Sequence, residues 1–113
     1  MLGASAEFIS AYTLGLNLKN MNITQENEER KGFFKAVEDN KEAGLMTYTW
    51  AGPSKFIIDH TEVNPDFKGK GVGLQLVMKV VAYARANQLK IMPLCPFAKS
   101  VFDKTPDIAD VLF

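Results

Sequence analysis

Apolar residues recur at every second position through three successive stretches of the chain, and then the period changes. In RKGFFKAVED (residues 30–39), Phe34 and Ala36 fall on one face of an extended segment, with Glu38 next in step. The turn formers of DNKEAG follow, LMTYTWAG alternates as a second strand, and Gly52, Pro53 and Ser54 close a second turn. KFIIDHTEV (residues 55–63) is the third strand. Strict alternation along it puts Ile58, His60 and Glu62 on one face, and Ile57, Asp59, Thr61 and Val63 on the other. Three strands joined by short turns predict an antiparallel meander.

Beyond the third strand the apolar period is helical. Val72, Leu76, Val77, Val80, Val81 and Ala84 form one stripe, with Gln75, Lys79 and Arg85 away from it. The spacing predicts a helix over roughly Gly71–Asn87. A short buried strand near Ile91–Leu94 follows, and a strand–helix–strand crossover makes it parallel to the third strand. A second helix opens at Pro96, where proline suits a first turn; Pro106 ends it, and a last helical turn follows. The expected class is therefore α/β of the α+β kind. An antiparallel meander leads into a crossover helix, a parallel strand and a short C-terminal helix.

With 113 residues, the chain is the size of one domain with one core. The segment from Met21 onward reads as a domain start, so residues 22–113 are expected to form that domain. Residues 1–21 then form a loosely ordered extension. The competing expectation is an amphipathic helix, since Phe8, Ala11, Tyr12 and Gly15 stand at helical spacing. Thirteen Lys and Arg balance thirteen Asp and Glu, which argues against nucleic-acid binding through a bulk basic field. No apolar run approaches the roughly 20 residues of a membrane span, and the first residues lack the basic start of a signal peptide. A single cysteine, Cys95, cannot close an internal disulfide and suits a reducing cytoplasm. One histidine and one cysteine without a nearby acidic cluster fall short of a metal-ligand set.

The junction between third strand and helix, VNPDFKGKGVG (residues 63–73), is where the chemistry gathers. A strand entering a helix through glycines presents backbone N–H groups at the helix's positive end, a site suited to phosphate. Gly69, Gly71 and Gly73 clear the approach, and Lys68 and Lys70 add charge. A P-loop needs Ser or Thr after Gly-Lys, but Gly71 follows Lys70. A dinucleotide fingerprint needs its third glycine later, where this chain has Leu74, and it follows a first parallel strand rather than a meander.

The same eleven positions resemble the pyrophosphate-binding signature of the GCN5-related N-acetyltransferase (GNAT) superfamily, Val-x-Pro-x-x-Arg/Gln-Gly-x-Gly-Ile/Val-Gly, with Lys68 as the one departure. DHTEV before the loop and PLCPF after it look like a small, stripped-down branch of that superfamily, over about residues 22–113. The resemblance implies a GNAT-like mixed sheet and acetyl-CoA as co-substrate, without a metal. It implies CoA contacts from Val63, Lys68, Gly69, Lys70, Gly71, Val72 and Gly73, and from Phe97 and Phe102 further on. The acceptor is an unidentified amine, on a small molecule or a protein, and the chain is expected as a monomer or weak dimer.

In the wider superfamily the segment after the parallel strand often reads Asn-x-x-Ala-x-x-x-Tyr, where the asparagine contacts pantetheine and the tyrosine protonates the leaving thiolate. The matching positions here are Cys95, Ala98 and Phe102, so a thiol replaces the asparagine and the acid is missing. Cys95 opens a helix, where the dipole favours a thiolate, and could take the acetyl group as a nucleophile; the alternative is a buried core thiol. His60, the only histidine, is expected to share an opening with Cys95 as its base, or to be structural. Glu62 is a second base candidate, with a solvated surface glutamate as its alternative. Two functions remain: acetyl transfer to an amine, directly or through Cys95, and a CoA- or acyl-CoA-binding module without efficient transfer.

Overall fold

The computed structural model describes residues 21–113, and the expectations for residues 1–20 lie outside the described residues. Five strands form one sheet in sequence order: β1 (Asn22–Asn27), β2 (Lys31–Glu38), β3 (Lys41–Trp50), β4 (Lys55–Val63) and β5 (Lys90–Pro93). The first four pair antiparallel and β5 joins β4 in parallel. Between them run a 3₁₀ turn (Pro65–Phe67) and helix α1 (Val72–Asn87); helix α2 (Pro96–Lys104) and a second 3₁₀ segment (Pro106–Val111) complete the chain.

The meander thus has four strands rather than three. NITQEN in β1 carries one large apolar residue, Ile23, so alternation gave no signal there. Ile23 faces the core, and the next two residues on its face are polar and bind specific partners. Gln25 Nε2 donates to the Tyr48 hydroxyl at 2.8 Å, and that hydroxyl and Trp50 Nε1 donate to Asn27 Oδ1 at 3.1 and 2.8 Å. Burial pushes the Tyr48 phenol's pKa above its ordinary value, a shift the Gln25 hydrogen bond partly offsets. Strand β3 also begins earlier than expected. The turn before it is only Asp39 and Asn40, both with positive φ (54° and 65°), as two-residue hairpin turns require.

Helix α1 lies across one face of the sheet and buries the whole apolar stripe, Val72, Leu76, Val77, Val80, Val81 and Ala84. Against it stand Phe34, Met46, Tyr48, Phe56 and Ile58. Burying each such side chain removes about 1.5–3 kcal/mol of unfavourable hydration, so this interface holds the fold together. The α1 N-terminus can approach the sheet because Gly44 faces it. A Cβ at Gly44 would sit 2.7 Å from Val72 Cγ1 and 3.1 Å from the Glu62 carbonyl oxygen. The chain end is fastened to the same layer: Arg85 donates to both carboxylate oxygens of Asp110 at 2.7 and 3.0 Å, and Phe113 N bonds the Ile91 carbonyl at 3.2 Å.

One irregularity reshapes β4. Thr47 pairs with His60, yet the neighbouring Tyr48 pairs with Ile58, so Asp59 is an extra residue bulged out of the ladder. Beyond the bulge, every side chain of β4 changes face. Thr61 opposes Met46 and turns toward the helices with Ile58, while His60 and Glu62 oppose Thr47 and Leu45 on the opposite face, which no described element covers. The expectation that Ile58, His60 and Glu62 share a face is therefore corrected: period-two reasoning holds only while no residue is inserted.

Candidate active site

The parallel ladder between β4 and β5 ends at Ile58–Pro93. Pro93 has no N–H to donate, and the next two amides, Leu94 N and Cys95 N, both converge on the Ile58 carbonyl at 3.1 and 3.2 Å. From there the chain turns into α2 while β4 runs on with β3 alone. The two parallel strands splay, and the second half of β4 presents one backbone edge without a β5 partner.

Cys95 stands at the apex of that splay as the N-cap of α2. Its Sγ accepts from Ala98 N at 3.3 Å and lies 3.2 Å from Thr61 Oγ1 across the opening. The thiol is 4% exposed, so it lines the floor of the splay rather than its rim. Leu94 and Phe97 flank it as exposed apolar side chains. Phe102 is buried in the core, so little of its ring is open to a bound molecule.

At the other end of β4 the glycine loop leads into the N-terminus of α1. Asn64 closes β4: its Oδ1 accepts from Asp66 N at 2.9 Å and its Nδ2 donates to the Glu42 carbonyl at 3.0 Å. The backbone of Gly69 and Gly71 then adopts positive φ, 82° and 73°, with open space where a side chain would stand. Conformation, not crowding, demands glycine at both. Gly73 differs, because a Cβ there would lie 2.5 Å from the Phe97 ring. The tip of the Phe97 ring therefore rests against the α1 N-terminus where Gly73 has no side chain. The first-turn amides of α1 have no acceptor within the helix, and Lys68 and Lys70, just before it in the chain, are both exposed. Lys70 Nζ sits 5.3 Å above the Phe67 ring, which steadies it over the loop. Val63 is exposed at the edge of the splay, whereas Val72 is buried under Gly44 and has only its backbone to offer.

His60 and Cys95 are not brought together. The bulge sends His60 to the uncovered face, where it lines a concavity of about 700 Å³ with Glu26, Phe33, Thr47 and Asp59. Glu62 shares that face and borders a smaller hollow, about 280 Å³, beside Glu42, Gly44 and Asn64. The residue that meets Cys95 is Thr61. Nothing in simple alternation pointed to it; the mixed polar run Asp59-His60-Thr61-Glu62 was the only hint that this half of the strand departs from regularity. Among the described residues, no group of three or more His, Cys, Asp or Glu is placed to hold a metal ion. No described helix is long and apolar enough to cross a membrane.

A family model described as GCN5-related N-acetyl-transferase matches residues 32–111. Among solved structures, the chain is similar to a GCN5-like protein named as an N-acetyltransferase from Staphylococcus aureus. They are 34% identical over 81% of this chain and 89% of that one, with a TM-score of 0.61. It also shares its fold with a ribosomal-protein-alanine N-acetyltransferase from Brucella melitensis biovar Abortus (17% identity, 68% of this chain and 62% of that one, TM-score 0.60). A third neighbour is a protein from Bacillus anthracis named as a streptothricin acetyltransferase and solved with acetyl coenzyme A (19% identity, 59% of this chain and 39% of that one, TM-score 0.51). A search of curated proteins finds no match. A glycine cradle at a helix N-terminus, a splayed parallel pair and the family match over residues 32–111 agree: the chain belongs to the GCN5-related N-acetyltransferase family.

Proposed function

We propose that this acetyltransferase takes the acetyl group of acetyl-CoA onto the sulfur of Cys95 and passes it to an amine. The observation that carries this reading is the position of the thiol. It is held by two hydrogen-bonding groups at the apex of the splay between β4 and β5. The glycine cradle at Gly69–Gly73, with Lys68 and Lys70, would hold the pyrophosphate, and the unpaired edge of β4 near Val63 would receive the pantetheine amides. Phe97, resting on Gly73, would cover the arm between the two.

In the transfer, a bond forms between Cys95 Sγ and the acyl carbon as the bond from that carbon to the CoA sulfur breaks. The thiol proton leaves with CoA, so one thiol is exchanged for another. Transfer to the acceptor needs a neutral amine. His60 and Glu62, exposed on the uncovered face, are the bases available to remove its proton.

Intact mass spectrometry after incubation with acetyl-CoA tests the reading. The wild type is expected to gain about 42 Da, the mass of a captured acetyl group, and Cys95→Ala to gain nothing while still binding CoA. Acetyl transfer that persists in Cys95→Ala would mean direct attack by the acceptor. Tight CoA binding with neither adduct nor transfer would make the chain a binding module.

A further inference from the structure

We infer that Thr61 is a catalytic partner of Cys95: its hydroxyl donates to the sulfur as that sulfur turns anionic on the way to the acyl-enzyme. This rests on the acyl capture by Cys95 proposed above, and adds a donor for the attacking sulfur.

The geometry is specific. Thr61 Oγ1 and Cys95 Sγ are 3.2 Å apart, 34 residues apart in the chain, and joined across the one place where β4 and β5 do not pair. Their meeting depends on the bulge, because in a regular strand the Thr61 position would face away and His60 would take its place. Ala98 N already donates to the same sulfur at 3.3 Å.

Count the protons in each state. In the resting thiol, either atom of the Thr61–Cys95 pair can donate, since each carries one hydrogen and has lone pairs to accept. Once the thiol proton has left toward the CoA sulfur, the Cys95 sulfur can only accept. The Thr61 hydroxyl then needs only a rotation about its C–O bond to donate, and no heavy atom moves. The developing charge meets two donors, Thr61 Oγ1–H and Ala98 N–H, fixed before reaction by a strand and a helix start. A hydrogen bond to a charged group contributes about 1.5–3 kcal/mol, which corresponds to roughly ten- to a hundredfold in rate.

Two variants separate this role from mere packing. Thr61→Val keeps the branched shape and removes the hydroxyl; Thr61→Ser keeps the hydroxyl and removes a methyl group. With matched thermal unfolding as the control for folding, three quantities are compared at one neutral pH. These are the rate of acetyl adduct formation from acetyl-CoA, the rate of alkylation by iodoacetamide, and the affinity for CoA. Because Cys95 is the only cysteine, alkylation reports on it alone. Thr61→Val is expected to slow adduct formation by about tenfold or more, to slow alkylation in the same direction, and to leave CoA affinity unchanged. Thr61→Ser should stay close to wild type in all three. Wild-type rates in Thr61→Val, or equal losses in Thr61→Ser, would overturn the assignment. If the wild type forms no adduct, acyl capture fails on its own account and alkylation still decides whether Thr61 supports the sulfur.

Discussion

The two halves of β4 share one strand and obey different rules. From Phe56 to Ile58 the strand alternates strictly, pairs on both edges and sends Phe56 and Ile58 into the core, fully buried. From Asp59 to Val63 it bulges, pairs on one edge and is largely exposed. The first half is what a sheet needs in order to be stable. The second is what a sheet must give up in order to bind, because a backbone edge bonded to a neighbour cannot also bond a ligand. Site and scaffold are adjacent, and the boundary between them is a single inserted residue.

The comparison is broken most severely by truncating the regular half. Phe56→Ala should cost about 3–5 kcal/mol, which for a domain of this size lowers the melting temperature by tens of degrees and removes CoA binding with the fold. His60→Ala, in the irregular half, should change stability by no more than about 0.5 kcal/mol. A melting temperature for His60→Ala that falls like that of Phe56→Ala would erase the distinction.

At the glycine loop the effects are intermediate and differ in cause. Gly73→Val would drive its side chain into the Phe97 ring and should destabilise by about 1–3 kcal/mol, as overpacking does, while weakening CoA binding in calorimetry. Adding Phe97→Ala should restore stability to the variant, because the ring is the obstacle. Gly71→Ala meets no neighbour and should still cost about 1–2 kcal/mol, since a Cβ disfavours left-handed backbone. Phe97→Ala should give it no relief.

The smallest effect lies at the far end. The Arg85 guanidinium, hydrogen-bonded to Asp110, holds that carboxyl below the usual carboxylate range. A depressed folded pKa means the stabilisation is present above the unfolded value of about 3.9 and is lost as pH falls through the folded one. Asp110→Asn should therefore flatten the acid limb of the stability profile slightly. High salt should mask the difference, because both partners are exposed. Activity should not change.

Periodicity and turn chemistry by themselves determined the order of the main elements, the crossover helix with its stripe, the parallel strand and the glycine-rich junction. Each is a local property: a residue's face follows from its neighbours' spacing, and a glycine's left-handed backbone from its own missing Cβ. Strand β1 was illegible because only Ile23 on its inward face is apolar, and the side chains that follow it there, Gln25 and Asn27, are anchored by Tyr48 and Trp50, more than twenty residues away. The pairing of Cys95 with Thr61 was illegible for the same kind of reason. A bulge is decided by how two strands share hydrogen bonds, and one inserted residue reverses every face beyond it. Sequence placed the only cysteine at the start of a helix; only the tertiary structure decided that it meets a threonine and not the histidine.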